Sequence, residues 1–134
     1  MKSFSLTVAT PDGVAYEGEA AAFLARTSAG DVEILAGHTD YLAALSTGRA
    51  RITLPDGSAR NAALSGGTLS VKDGVVSVAA TTFEYAEDID RARAERAKEK
   101  AESAIQNAMD ERALRLAKAK LERALLRIDM SAGK

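Results

Sequence analysis

The side chains with the clearest chemistry are cations. Ile89-Asp90-Arg91-Ala92-Arg93-Ala94 sets two guanidinium groups behind a carboxylate, Lys100 follows Arg93 by seven residues, and Arg123 and Arg127 stand four apart. Steps of four and seven both return to one helical face. In an antiparallel helical hairpin turning near Ala108, Arg93 lies level with Arg123 and Ile89 with Arg127, so the closed hairpin gathers Arg93, Arg123, Arg127 and Lys100. Cations gathered in this way repel one another unless an anion sits among them, and guanidinium groups bind phosphate and carboxylate well. A solvated basic face is the plainer alternative for the same spacing.

Other chemistry is weakly supported. His38 is the single histidine, in the stretch Gly30-Asp31-Val32-Glu33-Ile34-Leu35-Ala36-Gly37-His38-Thr39-Asp40. A histidine base needs a nucleophile and an orienting acid beside it. Ser28, Ser46, Asp31 and Asp40 are near in sequence, but an ordinary loop histidine is the simpler reading. Ala63-Leu64-Ser65-Gly66-Gly67 lacks the Lys-Ser/Thr ending of a phosphate-binding loop, so a tight turn or a close backbone approach explains its glycines better. With no cysteine, disulfides, thiol catalysis and cysteine-ligated zinc are excluded.

These residues fall in two stretches of different composition. The 134 residues carry 18 basic and 19 acidic side chains, a net charge of -1 that argues against a dedicated nucleic-acid binder. The near-zero total hides a split at residue 86, with a net of -3 before it and +2 after it. All six aromatic residues, both prolines and nine of the ten glycines fall in residues 1–86. There Phe4, Leu6 and Val8 alternate with Ser3, Ser5 and Thr7, the period of a half-buried strand. Pro11-Asp12-Gly13, Pro55-Asp56-Gly57 and Asp73-Gly74 supply turn chemistry. Between the breaks lie short runs at 14–19, 23–27, 32–35, 49–54, 58–64, 68–72 and 75–80, which predict a small sandwich or barrel.

From Arg91 to Ile128 there is no glycine or proline, and a helical segment is expected with Asp90 as its N-cap. Ala94, Ala97, Ala101, Ala104 and Ala108 form one seam, and Leu114, Ala117, Leu121, Ala124 and Ile128 another. A break around 106–110, with Asn107 or Asp110 capping a second helix, predicts a hairpin. A single long helix fits nearly as well. Buried alanine methyls contribute only ~0.8 kcal/mol each, against ~1–2 kcal/mol for ordering each residue's backbone. Such a hairpin is expected to be marginal and able to exchange between docking sites. No apolar run is long enough to span a bilayer, the N-terminal stretch lacks the apolar block of a signal peptide, and a cytosolic location is expected.

Gly30 to Leu35, then Gly37-His38, then Leu42-Ala43-Ala44-Leu45, resembles the central motif of the epsilon subunit of bacterial F-type, proton-translocating ATP synthases. Ala63 to Gly67 with Leu69 and Val71 is similar to that family's next signature, and Ala86-Glu87-Asp88-Ile89-Asp90 to its domain junction. The ordered set covers essentially the whole chain. Departures are local: many members have glycine at Glu33 and proline at Ala36 and Asp40. The resemblance implies a ten-stranded β-sandwich over 1–86 that anchors the chain in the rotor, then a mobile regulatory hairpin over 87–134. It implies a non-catalytic central-stalk subunit bound to the gamma subunit and the c-ring, at the cytoplasmic face of the cell membrane. The loop with Asp31 and His38 would lie toward the ring. The helices would extend toward the alpha and beta subunits and inhibit ATP hydrolysis. No cofactor is required.

Ile89-Asp90 with Arg93-Ala94 is also similar to the Ile/Leu-Asp-x-x-Arg-Ala motif of ATP-binding members, which implies ATP as a regulatory ligand. Ile89, Asp90, Arg93, Ala94, Lys100, Arg123 and Arg127 would form the site, and Asp90 and Glu84 would accept hydrogen bonds from the adenine amino group or ribose. Strong binders it resembles tend to have arginine where this chain has Lys100. The competing readings are a sandwich–hairpin adaptor without nucleotide binding and, far behind, an enzyme using His38 as base.

Overall fold

The computed structural model describes residues 2–132 and divides them into two compact units, one ending at Tyr85 and one beginning at Ala86. Residues 133 and 134, the end of the expected hairpin segment, lie outside the described residues.

The first unit contains eight strands: β1 (Phe4–Thr10), β2 (Gly13–Ala20), β3 (Ala22–Thr27), β4 (Gly30–Leu35), β5 (Tyr41–Ala44), β6 (Gly48–Thr53), β7 (Ala59–Lys72) and β8 (Val75–Tyr85). The hydrogen-bonded order is β2-β1-β8-β7-β6-β3-β4, with β5 on β7. Strand alternation sets the burial: Phe4, Leu6 and Val8 are buried while Ser3 and Ser5 are exposed. The chain expected to make ten strands makes eight because two are long. The first half of β7 pairs with β6 and its second half with β5. The first half of β8 pairs with β1, and its end runs along the first half of β7. Each long strand therefore serves both layers of the sandwich, and every layer holds five segments. The core between them is built from Leu6, Val8, Phe23, Ile34, Ile52, Leu64, Leu69 and Val76, all with under 2% exposure.

Two runs that read as separate, 58–64 and 68–72, are one strand. Gly66 and Gly67 interrupt the side chains and not the ladder, since Ser65 pairs with Thr82 and Gly67 with Ala80 in unbroken register. A β-carbon on Gly67 would sit 1.9 Å from the Ala79 carbonyl oxygen, so this is a close approach of two backbones. The run at 75–80 continues to Tyr85, whose hydroxyl donates to the Ala15 carbonyl at 2.8 Å and whose ring lies under the Arg60 guanidinium at 3.6 Å. β5 has four residues and little alternation of its own, and it forms because β7 offers it an edge.

The second unit is a 3-10 turn at Ala86–Asp88, then α1 (Arg91–Gln106) and α2 (Glu111–Ala132), which pack together. Asp90 caps α1, its Oδ1 accepting the Arg93 N–H at 3.1 Å. Asp110 caps α2 in the same way, accepting from Ala113 N at 2.7 Å, and Asn107 closes α1. The four-residue connection forces the helices antiparallel, so the chain makes the hairpin and not the single helix. Ala94 and Ala101 are buried on α1, Ala117 and Ala124 on α2, each pair seven residues apart. Ala104, placed on the seam by spacing, is exposed, and the neighbouring Ile105 takes the half-buried position near the tip.

Candidate functional site

The positions of Arg93, Lys100, Arg123 and Arg127 relative to the buried alanines fix the side of its helix on which each stands. Arg93 and Lys100 each precede a buried alanine, Ala94 and Ala101, and so sit about 100° to one side of the seam. Arg123 precedes buried Ala124, and Arg127 is three residues after it, about 60° to that same side. Reversing a helix's direction while turning it to face its partner preserves this handedness. In an antiparallel pair these four cations therefore share a flank.

Exposure differs between the helices: Arg93 and Lys100 are exposed, whereas Arg123 and Arg127 are half-buried. Arg91, on the other side of the seam, is paired with Glu95 through Nε at 3.2 Å. The Asp90 carboxylate is engaged as the cap of α1, with its Oδ1 on the Arg93 N–H. Ile89 and Ala94 are buried and shape the start of the helix by packing, offering no exposed side chain. Glu84 belongs to the other unit: it is half-buried on β8, opposite Ala63 of β7. The helical unit alone supplies all four cations and Asp90.

The loop residues form a second group. Asp31, at the start of β4, faces Arg26 across the β3–β4 hairpin, Nε to Oδ1 3.0 Å, with both side chains about half exposed (54% and 50%). The bonded carboxylate raises the guanidinium's pKa above its ordinary value, chiefly through the hydrogen bond. Glu33 meets Arg51 at 3.4 Å farther along the same strand. His38 is half-buried. Its Nδ1 lies 2.7 Å from the Thr39 carbonyl, so the tautomer protonated there donates to it, and its ring meets Tyr41 edge-on at 5.6 Å. These contacts describe a held loop histidine and supply no nucleophile. Sequence reasoning missed the partners of this group. Cross-strand register, had β3 and β4 been paired through Ser28-Ala29, would have found Arg26 for Asp31. The bond from Asp73 N to Asp40 Oδ1, 3.0 Å and 33 residues apart, has no such signal.

Among the described residues no group of three or more His, Cys, Asp or Glu is placed to hold a metal, and no helix is long and apolar enough to cross a membrane.

Known proteins resemble both units. A family model for the ATP synthase delta/epsilon chain β-sandwich domain matches residues 3–86, and one for the long α-helix domain of the same chain matches residues 87–132. The chain is 38% identical over 132 residues to the ATP synthase epsilon chain of Ruminococcus albus, covering 98% of each. It is 37% identical over 131 residues to the epsilon chain of Bacillus velezensis, again covering 98% of each. Among solved structures it matches a chain of the Euglena gracilis mitochondrial ATP synthase, OSCP/F1/c-ring in rotational state 1, with a TM-score of 0.82 and 26% identity over 98% of this chain and 82% of that one. A chain of the Tetrahymena thermophila mitochondrial ATP synthase central stalk and c-ring shares the fold, with a TM-score of 0.69 and 17% identity over 97% of each.

Proposed function

From the premise that the chain belongs to the ATP synthase delta/epsilon family, as an epsilon chain and a non-catalytic central-stalk subunit of an F-type enzyme, we propose that its sandwich anchors it in the rotor and its hairpin regulates ATP hydrolysis. The sandwich binds the gamma subunit, and its end bearing Asp31 and His38 meets the c-ring. The assembly sits at the cytoplasmic face of the membrane and couples proton transport to ATP synthesis. The helices, when released, extend toward the alpha and beta subunits, where their basic side chains meet carboxylates and hold hydrolysis back.

The observation that carries the regulatory part is a shared cation flank on a thinly packed hairpin. Among the described residues the buried side chains of the two helices are four alanines and Met130, and the four methyls contribute only about 3 kcal/mol at ~0.8 kcal/mol each, an upper bound. Like charge at Arg93, Lys100 and Arg123 works against that small surplus. A triphosphate lying between Arg93, Arg123 and Arg127 turns the repulsion into charge-assisted hydrogen bonds and favours the closed hairpin. ATP is thus proposed as a regulatory ligand, with Asp90 as an acceptor toward its adenine or ribose.

Isothermal titration of the full chain with ATP tests this. Heat is expected from the unmodified protein, with binding at least about tenfold weaker in Arg93→Ala and Arg123→Ala, the loss of one charged hydrogen-bonding partner. No detectable heat at millimolar ATP would remove the nucleotide and leave a hairpin whose basic flank reads only protein carboxylates.

A further inference from the structure

The crossing from β4 to β5, residues 36–40, carries His38. Its first half closes locally: His38 N donates to the Leu35 carbonyl at 3.2 Å, around Gly37 at φ 84°. Its second half is tied to a turn far away in sequence, where the Asp40 Oδ1 accepts the N–H of Asp73 at 3.0 Å. Asp73 is the first residue of the two-residue turn between β7 and β8, whose ladder closes at Lys72 and Val75. It stands at φ 51° and Gly74 at φ 80°, the pair of positive angles that a tight hairpin needs. An N–H at that position lies outside the Lys72–Val75 pairing, so an ionised carboxylate gives it a charge-assisted partner.

The tie has geometric consequences. The residue after Asp40 is Tyr41, which pairs with Val71 of β7. Asp40 and Tyr41 thus fasten the chain to β7 and its turn at two adjacent points. Tyr41's ring in turn meets that of His38 edge-on at 5.6 Å. Leu42, the next residue, is 75% exposed. Leu42 directly follows the two fastened residues, and His38, two residues before Asp40, leans on Tyr41, so both take part of their placement from them.

We propose that Asp40 is a positioning residue: its carboxylate pins the β4–β5 crossing to the β7–β8 turn and so presents His38 and Leu42 to the rotor ring in one arrangement. This rests on the reading that this end of the sandwich meets the c-ring. Asp40 itself acts through the loop and need not touch the ring.

Amide hydrogen exchange on the full chain, followed by binding of its gamma–epsilon complex to purified c-ring, tests the proposal. In Asp40→Ala the Asp73 amide is expected to exchange roughly tenfold faster, while amides of β1 and β6 keep their rates and report an intact sandwich. Ring affinity is expected to fall about threefold to tenfold. Asp40→Asn keeps an oxygen acceptor for the same N–H and is expected to restore both readouts. An unchanged Asp73 rate in Asp40→Ala overturns the tie. Ring binding that Asp40→Asn fails to restore overturns positioning, since charge alone would then be what the ring reads. Faster exchange with undiminished ring binding overturns it too. His38→Ala then separates the causes: if it also binds the ring fully, the ring-contact reading has failed, and if it alone weakens binding, that reading stands without Asp40.

Discussion

Single residues show what each local rule is worth. Gly67 and Gly74 both have positive φ, at 114° and 80°, but only one of them is crowded. An added β-carbon at Gly74 meets nothing within 4 Å, whereas at Gly67 it strikes the Ala79 backbone. Gly74→Ala is therefore expected to cost only the left-handed conformation, about 1–2 kcal/mol. Gly67→Ala adds a clash between backbones that neither long strand can relieve, and is expected to cost about 4 kcal/mol or more. Urea melts of the two variants check this, and equal losses would mean that the close approach is not rigid. Asp56 offers a second comparison at the β6–β7 turn. Its carboxyl is held below the ordinary carboxylate range by the Ser58 hydroxyl at 2.6 Å and then by the Ser58 N–H at 2.8 Å. A lowered folded pKa stabilises above the unfolded value and is lost as pH falls through the folded one. The turn's contribution should thus persist at neutral pH and disappear only in acid. In Ser58→Ala the larger cause is gone, and carboxyl NMR titration should find Asp56 shifted up toward its ordinary value.

At the scale of elements, the hairpin's two helices are specified by their ends more than by their seam. Asp90 and Asp110 each accept an N–H three residues on; the first was legible as a small acidic residue before an alanine-rich run, and the second only as one of two candidates beside Asn107. Asp90→Ala should lower the stability of α1 by about 1 kcal/mol, read as lost far-UV helical signal on heating. Lys100 makes the complementary prediction. It shares the flank of Arg93 but offers a point charge in place of a planar fork. Lys100→Arg should tighten ATP binding severalfold by titration, and unchanged affinity would put that position outside the site. The strands were less legible where the fold overrides local pattern. Gly66-Gly67 left a tight turn and a close backbone approach open, and only the facing Ala79 backbone at Gly67 decides for the approach. Tyr41–Ala44 carries too little alternation to announce a strand, and its pairing with Val71 to Thr68 comes entirely from β7. Steps of four and seven give each cation a side of its helix. They leave the register between the helices open, because alanine marks a seam without fixing which alanine meets which.

For the whole molecule, the same contrast separates two compact units that are packed differently. The sandwich owns a contiguous core running from Phe4 to Ala80, with large side chains interlocked between two five-segment layers. The helical unit buries four alanines beside Ile89 and Met130, and it carries the net positive charge while the sandwich carries the net negative. Removing residues 87–134 takes away no member of that core and should leave the sandwich folded. In the assembled enzyme the truncated chain is therefore expected to keep its hold on the gamma subunit and to sustain proton-coupled ATP synthesis. ATP hydrolysis should rise severalfold, because the element proposed to restrain it is gone. Neutralising Arg93, Arg123 and Arg127 together keeps the helices but removes both proposed uses of their charge. That triple variant should relieve inhibition as the truncation does, and its hydrolysis rate should no longer depend on whether ATP was present before assay. The two variants divide the outcomes. Lost gamma binding in the truncation would place the anchor in the helices and reverse the roles of the two units. Inhibition that survives the triple substitution would assign it to the bulk of the extended helices, with the cations serving the nucleotide alone.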